Sequence, residues 1–105
     1  MPDASQGLLA WVEAHAARAP AALRERVLAR AAEAPQAEEG TLPARLARAA
    51  EGVLALVERH PGDRSIALDL LAADALITLA LLAQAETAPD RLGSFAAELL
   101  QGERG

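Results

Sequence analysis

The stretch that decides the fold is LDLLAADALITLALLA, residues 68–83, the most apolar run in the chain. With about 100° of rotation per residue, its leucines surround the helix axis instead of lining one side. A helix that is apolar on all sides is buried on most of them. The stretch therefore predicts a central apolar helix over about residues 65–86, covered by the other helices or by a second chain.

The rest of the composition favours helices as well. Hydrophobic residues make up 52 % of the 105 residues, and they are mostly Ala and Leu, with one Trp, one Phe and no Tyr. Ala and Leu are strong helix formers, whereas the aromatic and β-branched strand formers are scarce. The length suits a single domain, 1–105, with one core.

Proline, glycine and capping residues divide the chain into five predicted helices. Their approximate bounds are 5–18, 20–34, 42–59, 63–86 and 90–100, and the fourth helix could also begin at residue 65. Short connections between them favour an all-α, compact four- or five-helix bundle that is mostly antiparallel. Residues 35–40 are the clearest loop, and residues 101–105 are expected to fray.

Three local expectations concern the second and third helices. Arg26 and Arg30 fall on the charged face of the second helix, which is predicted to point outward. Thr41 is the expected N-cap of the third helix. Gly52 lies inside that helix, where its missing side chain could permit a close helix crossing.

Charge and cysteine content exclude some classes of function. The net charge of −5 argues against a nucleic-acid binder. Without cysteine, the chain has no disulfide and no thiol chemistry.

The N-terminus carries no signal-peptide pattern. Residues 66–85 form an apolar run long enough to span a membrane. An aspartate near the middle of a span costs about 2.5–3.5 kcal/mol on insertion scales. We therefore expect a cytoplasmic protein with no membrane partner.

No catalytic motif is present. Ser5, Ser65 and Ser94 all fall where helices are expected to start, so capping is the first interpretation of each. The two histidines, His15 and His60, lack the spacing of a metal-binding pair. We therefore expect no enzyme activity, no cofactor and no metal.

One histidine has a second interpretation. His15 is followed by Arg18, which resembles the His-x-x-Lys-Gly stretch of histidine phosphotransfer domains. The resemblance implies a helical bundle that carries a phosphoryl group on this histidine. Ala19 replaces the glycine of that pattern, and the ordinary alternative is a helix histidine packed beside Trp11.

Residues 70–81, LLAADALITLAL, also resemble the LAGDALL helix of trans-isoprenyl diphosphate synthases. Those larger all-α enzymes bind magnesium diphosphate through D-D-x-x-D motifs, which this chain lacks. Ala73 replaces the glycine of the motif. The resemblance covers one helix and carries no catalytic residue over.

The two aspartates of the apolar run have different explanations. Asp69 lies in the first two turns of the helix, where a carboxylate complements the helix dipole. Asp74 is one turn before Thr78, on a narrow strip that also holds Ala67 and Ala85. This strip is an exposed edge, a buried seam where Asp74 meets an arginine, or a ligand site. The candidate arginines for the seam are Arg26, Arg45 and Arg48.

Three functions follow from these observations. The leading one is a non-enzymatic, self-associating interaction or scaffolding module, a homodimer that could also take a protein partner. The alternative is a bundle that binds a small molecule or metal, with or without catalysis, through Asp74, Thr78, Asp69 and His15, with Glu51 as a further polar group. The third is a phosphotransfer domain acting through His15.

Overall fold

Five α-helices and one short 3₁₀ helix account for nearly all of the described chain. The computed structural model describes residues 4–33, 41–60 and 62–104. The helices are α1 (Ala4–His15), α2 (Ala21–Glu33), α3 (Leu42–Arg59), α4 (Arg64–Thr87), the 3₁₀ helix Pro89–Arg91, and α5 (Leu92–Arg104). The predicted all-α bundle is confirmed; the predicted loop, 35–40, lies outside the described residues.

Short polar side chains begin the two longest helices. The Thr41 hydroxyl accepts a hydrogen bond from the Ala44 amide at 3.3 Å, which confirms the predicted N-cap of α3. At α4 the cap is Asp63, whose carboxylate accepts bonds from the Ser65 amide at 3.0 Å and hydroxyl at 2.9 Å. These bonds from Ser65 favour the charged carboxylate and lower the pKa of Asp63. Just before α4, Gly62 adopts φ +86°, a conformation that other residues rarely take.

Several predicted helix ends were wrong. Ser5, Ser65 and Ser94 lie inside α1, α4 and α5 and not at N-cap positions. α1 ends at His15, earlier than predicted, and residues 16–18 form a turn closed by a hydrogen bond from the Ala19 amide to the Ala16 carbonyl at 3.0 Å. A 3₁₀ turn takes the place of the first turn of the predicted fifth helix. The helix that follows continues to Arg104, through residues that were expected to fray.

Helix α4 lies at the centre of the bundle, where it packs against α2, α3 and α5. Its most extensive partner is α3. The buried positions of these two helices are rich in alanine: Ala47, Ala49, Ala50, Ala72, Ala73, Ala80 and Ala83. Because alanine side chains are short, they let the two backbones approach closely, and Leu46 and Leu76 fill the remaining interior.

One face of α4 is not covered by the described chain. Leu70, Leu71 and Leu82 are 50 %, 56 % and 41 % exposed. We expected α4 to be buried on most of its sides. The side that carries these three leucines is instead exposed in the described chain. By length and composition alone α4 could cross a membrane, a property that core helices share.

Gly52 is not a point of close helix crossing. It is exposed, and a Cβ atom added there would meet no atom within 4 Å among its described neighbours. The prediction that its missing side chain permits a close approach was wrong. Gly52 only adds backbone freedom to the unfolded chain, which weakens α3.

Replacing Gly52 with alanine should therefore stabilise the protein. We expect the free energy of unfolding to rise by about 0.5–1 kcal/mol, because alanine restricts the unfolded chain and fits the helix. Urea denaturation measures this change. Ala55→Gly, at an exposed position of the same helix, is the matched control and should lower stability by a similar amount. A loss of stability in Gly52→Ala would mean that Gly52 does have a packing role.

Candidate functional site

The most unusual polar residue in the structure is Asp69, which is only 2 % exposed. It is the sixth residue of α4 and points towards α2. A charged side chain this deeply buried requires compensating partners, because its transfer from water is costly. Arg26 and Arg30 supply them from consecutive turns of α2, where residues four apart share a face.

Both carboxylate oxygens of Asp69 are occupied. The Nε of Arg30 donates to Oδ1 at 2.7 Å, and its second nitrogen, Nη2, donates to Oδ2 at 3.2 Å. Arg26 approaches Oδ1 with its Nη1 at 3.0 Å. Arg30 also donates from Nη1 to Glu33 at 2.8 Å, which places a second carboxylate at the rim of this group. The four residues form one charged cluster between α2 and α4.

The electrostatics of the cluster favour the ionised form of Asp69. Burial alone would raise the pKa of this carboxyl, but hydrogen bonds from Arg30 and Arg26 outweigh burial and hold the pKa below its ordinary value. Among the described residues no buried polar side-chain atom lacks a hydrogen-bond partner. With its oxygens engaged by two guanidinium groups, Asp69 is held as a fixed anion inside the bundle.

Two expectations about this cluster were wrong. The helix dipole is not the principal explanation of Asp69, because the contacts that neutralise it come from α2. The outward orientation predicted for Arg26 and Arg30 is wrong for both residues. Their side chains are only 28 % and 21 % exposed, and both contact Asp69. Their guanidinium groups turn towards the buried carboxylate of Asp69.

Asp74 and Thr78 lie on the opposite, exposed side of α4. Of the three alternatives for this strip, the structure selects an exposed edge over a buried seam. The Thr78 hydroxyl donates to the backbone carbonyl of Asp74 at 3.1 Å, a local bond within the helix. Arg26, a candidate partner for Asp74, binds Asp69 instead.

Exposed leucines of α4 lie on both sides of Asp74 and Thr78. We call the surface that these residues form together the α4 face. Its members are Ala67, Leu70, Leu71, Asp74, Thr78, Leu81, Leu82 and Ala85. All are exposed except Leu81 and Ala85, near the C-terminal end of α4, which are half-buried.

His15 is accounted for by its neighbours. Its ring stacks on Trp11 with 3.8 Å between ring centroids, and its Nδ1 donates to the Trp11 carbonyl at 2.8 Å. The predicted packing beside Trp11 is confirmed. The other ring nitrogen, Nε2, lies 3.7 Å from a carboxylate oxygen of Glu86, an environment that would repel a phosphoryl group.

Two depressions on the described surface lie beside α3. A depression of about 150 Å³ between α2 and α3 is lined by Arg30, Glu33, Arg48 and Gly52 among others. Glu51 lines a second depression, of about 230 Å³, beside Phe95 and Glu98. Neither contains Asp69, Asp74, Thr78 or His15. Within residues 4–33, 41–60 and 62–104, no three acidic or histidine side chains are grouped to hold a metal ion.

Neither a protein-family model, nor a curated protein, nor a solved structure matches this chain. Two features of its own geometry therefore bear on function. One is the charged cluster at Asp69, whose groups satisfy one another. The other is the α4 face, whose leucines are in contact with water.

Removing the buried charge should destabilise the fold. We expect Asp69→Asn to lower the free energy of unfolding by about 2–4 kcal/mol, because it leaves Arg26 without its carboxylate and Arg30 with only the exposed Glu33. Asp74→Asn is the matched control on the same helix and, at a concentration at which the protein is monomeric, should change stability by no more than about 0.5 kcal/mol, since Asp74 is exposed. Equal effects of the two variants in urea denaturation would contradict the role given to Asp69.

The lowered pKa of Asp69 also predicts a pH dependence. A carboxyl whose pKa is lower in the folded than in the unfolded protein stabilises the fold above its ordinary pKa. That contribution is lost as the pH falls through the lowered value. Stability of the wild type should therefore decline below about pH 4, and the decline should be smaller in Asp69→Asn. Parallel curves for the two proteins in denaturation between acidic and neutral pH would refute this.

Proposed function

We propose that this protein is a non-enzymatic, self-associating interaction module that acts through the α4 face. The observation that carries the proposal is the exposure of Leu70, Leu71 and Leu82 along one side of a single helix. Isolated exposed leucines are common on protein surfaces, whereas exposed leucines grouped on one face of a helix, here on both sides of Asp74 and Thr78, are typical of a site of association.

The energetic argument is the removal of apolar surface from water. Burial is worth about 25 cal/mol per Å² of apolar area, or about 1.5–3 kcal/mol for a leucine that becomes fully covered. Three half-exposed leucines can therefore contribute several kcal/mol to an association, from which the cost of bringing two molecules together is subtracted. A modest, concentration-dependent affinity is the expected result.

The α4 face is also a preformed surface. On its other sides α4 packs against α2, α3 and α5, and the Asp69 cluster fixes it to α2. A partner that docks on such a helix does not have to order a flexible segment, so less of the binding energy is lost to ordering. A rigid helix that presents a stripe of leucines is suited to pairing with another helix.

The polar groups support binding over chemistry. Asp69 is neutralised inside the bundle, and His15 is engaged by Trp11 and lies near Glu86. Within the part of the chain that the structure describes, the exposed Asp74 belongs to no group of three acidic or histidine side chains that could hold a metal ion. General acid–base catalysis needs positioned groups that converge on one substrate atom.

A single domain and a cytoplasmic location remain part of the proposal.

Self-association is tested by measuring mass as a function of concentration. In sedimentation equilibrium the wild type should shift from monomer towards dimer as its concentration rises. Leu71→Gln and Leu82→Gln should each weaken the dimer at least about tenfold, since a symmetric contact loses each leucine twice. Leu100→Gln is the matched control: Leu100 is 59 % exposed, but it lies on α5.

Two results would overturn the proposal. One is a folded wild type that stays monomeric at the highest concentration reached. This result would overturn self-association whether or not the protein also binds lipid vesicles in a flotation assay. The other is a Leu100→Gln variant that weakens association as much as Leu71→Gln, because the α4 face would then have no special role.

A further inference from the structure

The α4 face has the same pattern when it is traced in either direction from Leu76. Positions at equal distances before and after this residue carry matching side chains. The matching pairs are Ala67 with Ala85, Leu70 with Leu82, Leu71 with Leu81, and Asp74 with Thr78. The first three pairs are identical in residue type, and the fourth combines a hydrogen-bond acceptor with a donor.

The spacing of these residues is that of a helix-pairing seam. The centre of the face follows Ala67, Leu71, Asp74, Thr78, Leu81 and Ala85, in alternating steps of four and three residues. Alternating steps of this kind keep one line of side chains facing a partner helix over several turns. The seam extends over nineteen residues, 67–85, or about 27 Å of helix.

We infer that α4 pairs antiparallel with α4 of a second copy of this chain, around a twofold axis at the level of Leu76. The inference rests on the proposed self-association and specifies its geometry. A twofold interface must be self-complementary, because the same patch is presented by both subunits. A face that matches itself about its own midpoint meets this requirement when the two helices run in opposite directions.

In this register each level of the seam holds compatible groups. Leu71 lies level with Leu81 of the second copy, so apolar side chains meet on both sides of the axis. Ala67 lies level with Ala85 of the second copy, and these small residues let the helix ends approach closely. At the centre Asp74 lies level with Thr78 of the second copy, whose hydroxyl can turn from its own helix backbone to the carboxylate.

The opposite, parallel register is electrostatically worse. It would place Asp74 against Asp74 and Arg64 against Arg64, both like-charged contacts. The antiparallel register instead separates the two Asp74 residues by about 6 Å along the helix axis. It also brings the exposed Arg64 to the same side as Glu86 of the second copy and within about one turn of it. The helix dipoles oppose each other in the same arrangement.

Cysteine crosslinking tests the register directly, because the chain has no cysteine of its own. Ala67→Cys and Ala85→Cys are prepared as separate variants, one of them ¹⁵N-labelled, then mixed and oxidised under mild conditions. We expect a disulfide between Ala67→Cys and Ala85→Cys chains, identified by its mass. Ala67→Cys alone should give little dimer, because its two sulfurs would stand about 27 Å apart.

A background substitution serves as the control. Adding Leu71→Gln to both variants should slow formation of the mixed disulfide at least about tenfold at the same concentration, which separates crosslinking in the dimer from random collision.

The outcomes separate the register from self-association itself. A disulfide in Ala67→Cys alone, without the mixed product, would overturn the antiparallel register and leave self-association standing. A concentration-dependent dimer without any crosslink would place the contact on another surface and overturn this inference. A strictly monomeric wild type would overturn both the inference and the proposed function.

Discussion

The contact of Asp69 with Arg26 and Arg30 is the constraint that orients the central helix. Leucines on every side of α4 give it little preference for turning one face inward, because several rotations would bury a similar apolar area. Only one rotation places the carboxylate of Asp69 against the guanidinium groups of α2. Other rotations would leave Arg26 and Arg30 without their anion or bury Asp69 without a cation, at a cost of several kcal/mol.

The outward face of α4 follows from this orientation. Asp69 and Asp74 are five residues apart, which separates them by about 140° around a helix. When Asp69 points into the bundle, Asp74 must point out of it. Leu71, Thr78 and the rest of the α4 face are carried outward with Asp74, so the surface available to a partner is decided by a buried contact on the other side of the helix.

The sequence predicted the architecture better than the orientation of its central element. Composition and helix-breaking residues were sufficient for the five helices, and the bounds of α3 and the Thr41 cap agree with the structure. A helical-wheel argument could not decide between Asp69 and Asp74, because it relies on a contrast between apolar and polar faces that α4 lacks. The missed signal was on α2. Arg26 and Arg30 directly precede the buried Val27 and Ala31, which places them at the border of the buried face instead of opposite it.

The two aspartates of α4 therefore illustrate a common physical use of charge in an apolar helix. A buried ion pair adds little net stability, because apolar residues of similar size often serve as well or better. Its effect lies in the penalty that it imposes on wrong arrangements, and Asp69 imposes that penalty on the rotation of α4 within the chain. A polar residue in an otherwise apolar seam acts in the same way between chains, where it fixes register at some cost in affinity. In the proposed antiparallel pair Asp74 would have this second role, because leucines supply attraction in many registers and the inferred register gives the carboxylate the hydroxyl of Thr78 as a donor.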